Sequence, residues 1–280
     1  MQGKSIARLT IDWTDFRAKV FAEAGAAQTI PDLYSAIRLA LTLLADGHSL
    51  YRAASGTVIA YRVRSCGAPV TGTPALPPTI GYVRVPAFSG SAADATALAG
   101  AIQHAIREAD RDDLAGWIVD VRGNGGGNMW PMIAGVGPIL GEGLAGYFIE
   151  PDDAAERWGY RHGGSWSGET VLQPVLSPYR LRRERPRVAV LTDGGVASSG
   201  EAVVIAFKRR PGTRFFGTAT CGLSTANEAY ALDDGATLLL TTAVMADRAR
   251  TPYGGSVQPD EFAADTRAAV QRAIAWLQGS

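Results

Sequence analysis

Gly116-Trp117-Ile118-Val119-Asp120-Val121-Arg122-Gly123-Asn124-Gly125-Gly126-Gly127-Asn128 sets an apolar run directly before a cluster of glycines. A short, continuously apolar run reads as a strand buried on both faces, as in a parallel sheet. The arrangement returns downstream, where Val188 to Thr192 runs into Asp193-Gly194-Gly195-Val196-Ala197-Ser198-Ser199-Gly200-Glu201. Helical patterns follow both loops, from about Pro131 and from Ser198 to Arg209. Strand, glycine loop and helix, twice over, predict an α/β core with parallel strands and right-handed crossovers. Ligands in such cores sit where strands end and helices begin.

Outward from this core, Ile80–Val85 and Thr57–Val63 read as strands, and Ser91–Asp110 as a long Ala-rich helix. Pro69–Pro78, with prolines at 69, 74, 77 and 78, reads as a linker. Gly217–Ala246 reads as strands separated by turns, and Asp260–Leu277 as a closing helix. Near the N-terminus, Thr14–Ala27 predicts a helix with Thr14 as N-cap. A second helix starts near Pro31, which suits a first helical position. It carries Leu33, Ile37, Ala40, Leu41 and Leu44 on one face, and Gly47 is the expected C-cap. His48 then lies just beyond a helix end. Residues 141–184, rich in Gly, Trp and Tyr, read as an irregular excursion over the site.

Twenty-seven basic and 27 acidic residues leave no net charge, so nothing points to nucleic acid or an acidic membrane surface. No stretch is long and apolar enough to span a bilayer, and no apolar run follows a basic start as in a secretory signal. This predicts a cytoplasmic protein, or one whose leader lies outside these residues. Cys66 and Cys221 show no metal-ligand spacing; they can pair or stay free, and two buried thiols is the blander expectation.

The first glycine loop lacks the Lys-Ser/Thr of a Walker loop, and Asn128 breaks the G-x-G-x-x-G spacing from Gly123. An oxyanion hole or a plain tight turn remains. In the second loop, Ser198 opens a helix with Glu201 three residues later, which equally fits a capping box. It is not a G-x-S-x-G elbow. A nucleophilic serine needs a base, and there are three histidines. His104 is mid-helix, His162 is in the excursion, and His48 is in Asp46-Gly47-His48-Ser49. Composition does not choose among them. Arg161, Arg182, Arg183, Arg185 and Arg187 read as a solvated basic stretch, or more sharply as a clamp for a peptide's terminal carboxylate.

Asp46-Gly47-His48-Ser49, Gly81-Tyr82-Val83-Arg84-Val85-Pro86, Asp120-Val121-Arg122-Gly123-Asn124-Gly125-Gly126, Ala197-Ser198-Ser199-Gly200-Glu201, Gly217-Thr218-Ala219-Thr220-Cys221-Gly222 and Val257-Gln258-Pro259-Asp260 occur in this order. Together they resemble the tail-specific (C-terminal processing) serine protease family over nearly the whole chain. The pattern is nearest that of nisin-resistance-type members, with Ser224–Asn227 adding to the match, and of the tricorn-like Ser–His branch. The resemblance implies an α/β fold with a crotonase/Clp-protease-like core at 51–280, a lid at about 141–184, and an N-terminal helical segment at 1–50. It implies a serine peptidase acting on an extended peptide or protein substrate, without metal or cofactor. Ser198 would be the nucleophile, and the backbone at Gly126 and Ser199 the oxyanion hole. Many members place a lysine where Leu223 stands here, so the implied base is His48. The acidic residue of the tricorn-like branch would fall near Tyr253, which leaves Glu201 and Asp247 as candidate supporting acids. The alternative is a non-catalytic binding module for a small molecule or peptide on the same fold.

Overall fold

The computed structural model describes residues 1–61, 65–68 and 72–279. The start of the expected 69–78 linker and the end of the expected 57–63 strand lie outside these residues. In chain order the first half holds helix α1 (Trp13–Ala24), a 3-10 turn (Pro31–Leu33), α2 (Tyr34–Leu44), β1 (Leu50–Arg52), β2 (Val58–Ala60), β3 (Ile80–Arg84), α3 (Ala92–Ala109), β4 (Gly116–Asp120) and α4 (Met129–Leu140). Four strands follow, β5 (Gly143–Ile149), β6 (Ala155–Arg161), β7 (Gly164–Ser167) and β8 (Thr170–Pro174). The rest is β9 (Val188–Thr192), α5 (Ser199–Phe207), β10 (Thr213–Gly217), β11 (Thr225–Ala231), β12 (Thr237–Asp247), β13 (Glu261–Phe262) and α6 (Thr266–Gln278). The chain forms two compact units.

The larger unit comprises Cys66–Phe148, Glu156–Ser224 and Met245–Ser280. Its five-stranded sheet runs β13-β10-β9-β4-β3, with every neighbouring pair parallel. All residues of β4 and β9 are buried, because alternate side chains enter different cores. Trp117 and Val119 pack with Ile106 of α3, Ile133 of α4 and Val204 of α5, whereas Ile118 packs with Leu191, Ala273 and Leu277 under α6. Helices on both faces explain why these strands carry no alternating polar residue. The closing helix starts at Thr266, capped by Asp265, rather than at Asp260; Glu261 and Phe262 extend the sheet instead.

Residues 141–184 are not irregular as expected. They hold β5 to β8, with β6, β7 and β8 paired antiparallel. Trp158 and Tyr160 enter the main core, so the aromatic richness of the segment reflects packing. The free-thiol expectation also fails: Cys66 and Cys221 form a disulfide, with Cα atoms 5.5 Å apart. Their separation of 155 residues gave the sequence no sign of proximity.

The smaller unit comprises Met1–Ser65, Ile149–Ala155 and Thr225–Val244. Here β2, β1, β12 and β11 pair antiparallel in that order. Phe16, Leu41, Leu44, Tyr51, Ile59 and Leu240 form its core. The cap of α1 is Asp12, whose carboxylate accepts the Thr14 and Asp15 N–H groups, not Thr14. Helix α2 is capped by Ala45, in the left-handed region at φ 56°, two residues before Gly47.

Candidate active site

In the larger unit the two glycine loops pack on each other. Asn124 O accepts the Ala197 N–H at 2.9 Å, and Ser199 Oγ donates to Gly127 O. A Cβ on Gly200 would lie 2.3 Å from Asn124 O, so a side chain there would displace backbone. A Cβ on Gly126 (φ 100°) would lie 2.8 Å from Ala197 O, 2.9 Å from Ser198 Cβ and 3.0 Å from Ser199 N. Glycine at 126 thus lets the first loop touch the serine. The loop is held from behind as well. Asn124 Nδ2 donates to Val85 O at 3.0 Å, and Phe88 bridges it through Phe88 N–H to Gly126 O and Asn128 N–H to Phe88 O. Below it, Arg122 and Asp120 form a buried ion pair at 2.6 Å, and the Tyr82 hydroxyl donates to Asp120 at 2.9 Å. The quoted 81–86 and 120–126 stretches are therefore one scaffold.

Ser198 precedes α5 with φ 51° and ψ −117°. The expected capping box with Glu201 is formed, but an N-cap serine ordinarily has extended backbone, so the box alone does not account for this conformation. Strained backbone at a non-glycine residue persists only where its surroundings enforce it, and it clusters at active sites. The enforcing group is Glu201, which has no exposed surface. Its Oε2 accepts the Ser198 N–H at 2.9 Å and the Leu223 N–H at 2.7 Å. Its Oε1 accepts the Gly222 N–H at 2.9 Å and the Thr220 hydroxyl. Thr220 Oγ in turn accepts the Val257 N–H at 2.8 Å. Burial pushes the Glu201 carboxyl above its ordinary range, and the four donors work against that shift. The 217–222 and 257–260 stretches thus converge on the Ser198 backbone through one carboxylate.

Of the candidate oxyanion donors, Ser199 is the first residue of α5, so its N–H has no partner within the helix. The Gly126 N–H donates to Asn124 Oδ1 at 3.0 Å. The bridge to Phe88 uses Gly126 O and the Asn128 N–H, which leaves the Gly127 N–H outside it. Asp247, the other candidate acid, accepts from the Ala249 and Thr251 N–H groups and the Tyr253 hydroxyl, with Arg209 3.7 Å away. Lys208 donates to Gln258 O at 2.9 Å and lies over the Phe215 ring at 3.7 Å. Four of the five arginines named in the 161–187 stretch have partners in the structure: Arg161 donates to Glu169 O, Arg182 pairs with Asp112, Arg183 donates to Leu114 O and Arg187 lies over Trp276.

In the smaller unit, Asp46 builds the turn that carries His48. Its Oδ1 accepts the His48 N–H at 2.8 Å and the Ser49 N–H at 2.6 Å, and its Oδ2 accepts the Ser49 hydroxyl. This carboxylate holds the turn through backbone and Ser49 groups. The imidazole Nδ1 lies 2.7 Å from Thr225 Oγ1, and Asn227 Nδ2 donates to His48 O at 3.1 Å. Sequence reasoning missed Thr225; only the Ser224–Asn227 match pointed near it. His104 and His162 are both exposed, the first on α3 and the second in the β6–β7 turn.

A serine held in strained backbone between a buried strand and a helix, with an orphan N–H beside it, is the arrangement of hydrolases that work through a serine nucleophile. The chain belongs to peptidase family S41, whose pattern matches residues 79–263, and members of that family are serine peptidases. It is 29% identical over 195 residues to the nisin-resistance protein of Lactococcus lactis subsp. lactis, 69% of this chain and 58% of that protein. It is 26% identical over 164 residues to the carboxy-terminal processing protease CtpA of Bacillus subtilis (strain 168), 59% of this chain and 30% of that protein. The chain therefore spans little more than half of one curated relative and under a third of the other. The fold matches that of a lipoprotein from Streptococcus agalactiae with a TM-score of 0.78 at 21% identity, over 99% of this chain and 92% of that one. Among the described residues no helix is long and apolar enough to cross a membrane.

Proposed function

We propose that this chain hydrolyses peptide bonds of an extended peptide substrate, with Ser198 as nucleophile and His48 as its general base. Ser198 Oγ attacks the scissile carbonyl carbon while its proton passes to His48. The resulting imidazolium gives that proton to the leaving amine, and water then releases the acyl group by the same route. The Ser199 N–H serves one side of the developing oxyanion. The second donor is assigned to the 126–127 peptide region, with Gly127 N–H favoured because Gly126 N–H is committed to Asn124. Neither Glu201 nor Asp247 is read as the acid behind His48, since both carboxylates are committed to other donors. The name of the relative CtpA motivates carboxy-terminal processing as the form of cleavage.

The observation that carries this reading is the backbone of Ser198, φ 51° and ψ −117°, held by Glu201. Such strain clusters at active sites and ligand clamps, and the N–H groups beside it suit an oxyanion. A fluorophosphonate probe tests the reading: it should label the wild-type chain at Ser198 and leave Ser198→Ala unlabelled but folded by circular dichroism. Ser199→Ala should still be labelled, since the reaction uses its backbone N–H and its hydroxyl only ties Gly127 O. A wild-type chain that takes no label, or equal labelling of Ser198→Ala, overturns the assignment.

A further inference from the structure

A histidine that takes a proton on one ring nitrogen must carry its own proton on the other, and that choice of tautomer is set by what the second nitrogen bonds to. In many serine hydrolases a carboxylate makes this bond. Here a neutral hydroxyl, Thr225 Oγ1, lies 2.7 Å from His48 Nδ1. We propose that Thr225 is the positioning residue of the base. Its hydroxyl oxygen accepts the His48 Nδ1–H, so the ring's basic lone pair sits on Nε2. This inference rests on the reading of His48 as general base.

The surroundings are built for that bond. Thr225 is buried, at the first position of β11. The register of β11 on β12 jumps between Ala226 and Asn227, from Ala243 to Thr241, a bulge of the kind that re-aims side chains beside functional sites. Thr225 and Asn227 are two apart on β11, and both reach the same histidine, one at the ring and one at the carbonyl. Asn227 is itself fixed, because its Oδ1 accepts the Thr241 hydroxyl at 2.9 Å. The Thr241 N–H donates to Ser49 Oγ at 2.9 Å, and Ser49 belongs to the Asp46 turn. His48 is thus clamped at its N–H by Asp46, at its C=O by Asn227 and at its ring by Thr225. The first two clamps fix where the residue is, and the third acts on the ring and so on which nitrogen holds the proton. Free histidine prefers the proton on Nε2, which is the wrong tautomer for a base acting through that atom.

The test is ¹⁵N NMR of the His48 imidazole in the full chain, alongside steady-state kinetics, for Thr225→Val and Thr225→Ser. The wild-type ring should show the Nδ1–H tautomer at a pH where it is neutral. Thr225→Val should shift the ring toward Nε2–H and lower kcat about five- to tenfold with KM little changed, the size of one lost neutral hydrogen bond. Thr225→Ser should restore the Nδ1–H signature and most of the rate. A wild-type Nε2–H tautomer, or a Thr225→Val ring and kcat identical to wild type, overturns the proposal. Should His48→Ala keep its activity, the general-base reading fails, while the NMR measurement still reports on Thr225 separately.

Discussion

Glu201→Gln should uncouple the nucleophile from its scaffold. The carboxylate presents two oxygens, each accepting two donors. Glutamine presents one oxygen and one NH₂, so two of those four donors would face another donor. If the amide oxygen takes the Oε1 place, the Ser198 and Leu223 N–H groups are stranded; in the other rotamer the Gly222 N–H is stranded, and the Thr220 hydroxyl loses its charged acceptor and must turn to accept from the amide. Each hydrogen bond to a charged group is worth about 1.5–3 kcal/mol, so two lost bonds amount to roughly 3–6 kcal/mol. Burying an amide instead of a charge offsets part of this, because burial already works against the ionised Glu201. The net loss is expected in urea unfolding as a lowered midpoint with an unchanged slope. Fluorophosphonate labelling of Ser198 should also slow under conditions where the variant is fully folded, as the φ 51° backbone relaxes. Glu201→Asp, which keeps both oxygens but shortens the reach, should fall between the two. A glutamine variant with wild-type stability and wild-type labelling would falsify the role assigned to this carboxylate.

Gly126→Ala places a Cβ within 3.0 Å of three atoms of the 197–199 segment, at a φ that side chains rarely adopt. It should lower kcat on the order of a hundredfold while KM changes less, as for loss of an oxyanion contact; a pure KM effect would make the loop a substrate clamp. For the base, kcat/KM should rise with pH through a single ionisation, that of the free enzyme's base. His48→Ala should remove that limb with nearly all activity. His104→Ala and Lys208→Ala should keep both, and a limb near pH 9 would redirect attention to Lys208, whose pKa burial lowers.

The strand-loop-helix pairs around Asp120–Asn128 and Thr192–Glu201 were legible because parallel strands buried on both faces leave continuous apolar runs, and glycine marks where backbones must touch. The 141–184 strands were not legible, since their glycines and tryptophans are used in packing and leave no clean alternation. Glu201 was visible as a capping partner, but its grip on Thr220, Gly222 and Leu223 joins residues about twenty positions apart, and no local spacing encodes that. Thr225 was hidden for the same reason: its partner His48 is 177 residues away. The cysteines are the sharpest case, because sequence left their pairing open and the fold decides it beside the nucleophile. Cys221 N–H donates to Val196 O at 2.8 Å, and Gly67 N–H donates to Gly194 O at 3.0 Å. Gly222 and Leu223, the next two residues, hold Glu201. The disulfide therefore braces the loop that fixes Ser198. Closing a 155-residue loop stabilises a chain by about 5 kcal/mol in the chain-entropy account. Reduction should therefore lower the urea midpoint markedly. It should also slow probe labelling of Ser198 at urea concentrations where both forms remain folded, because Gly222 and Leu223 are then less firmly placed. Cys66→Ser with Cys221→Ser should reproduce both effects without reductant. If reduced and oxidised protein label at the same rate, the bridge stabilises the fold alone and has no hold on the nucleophile.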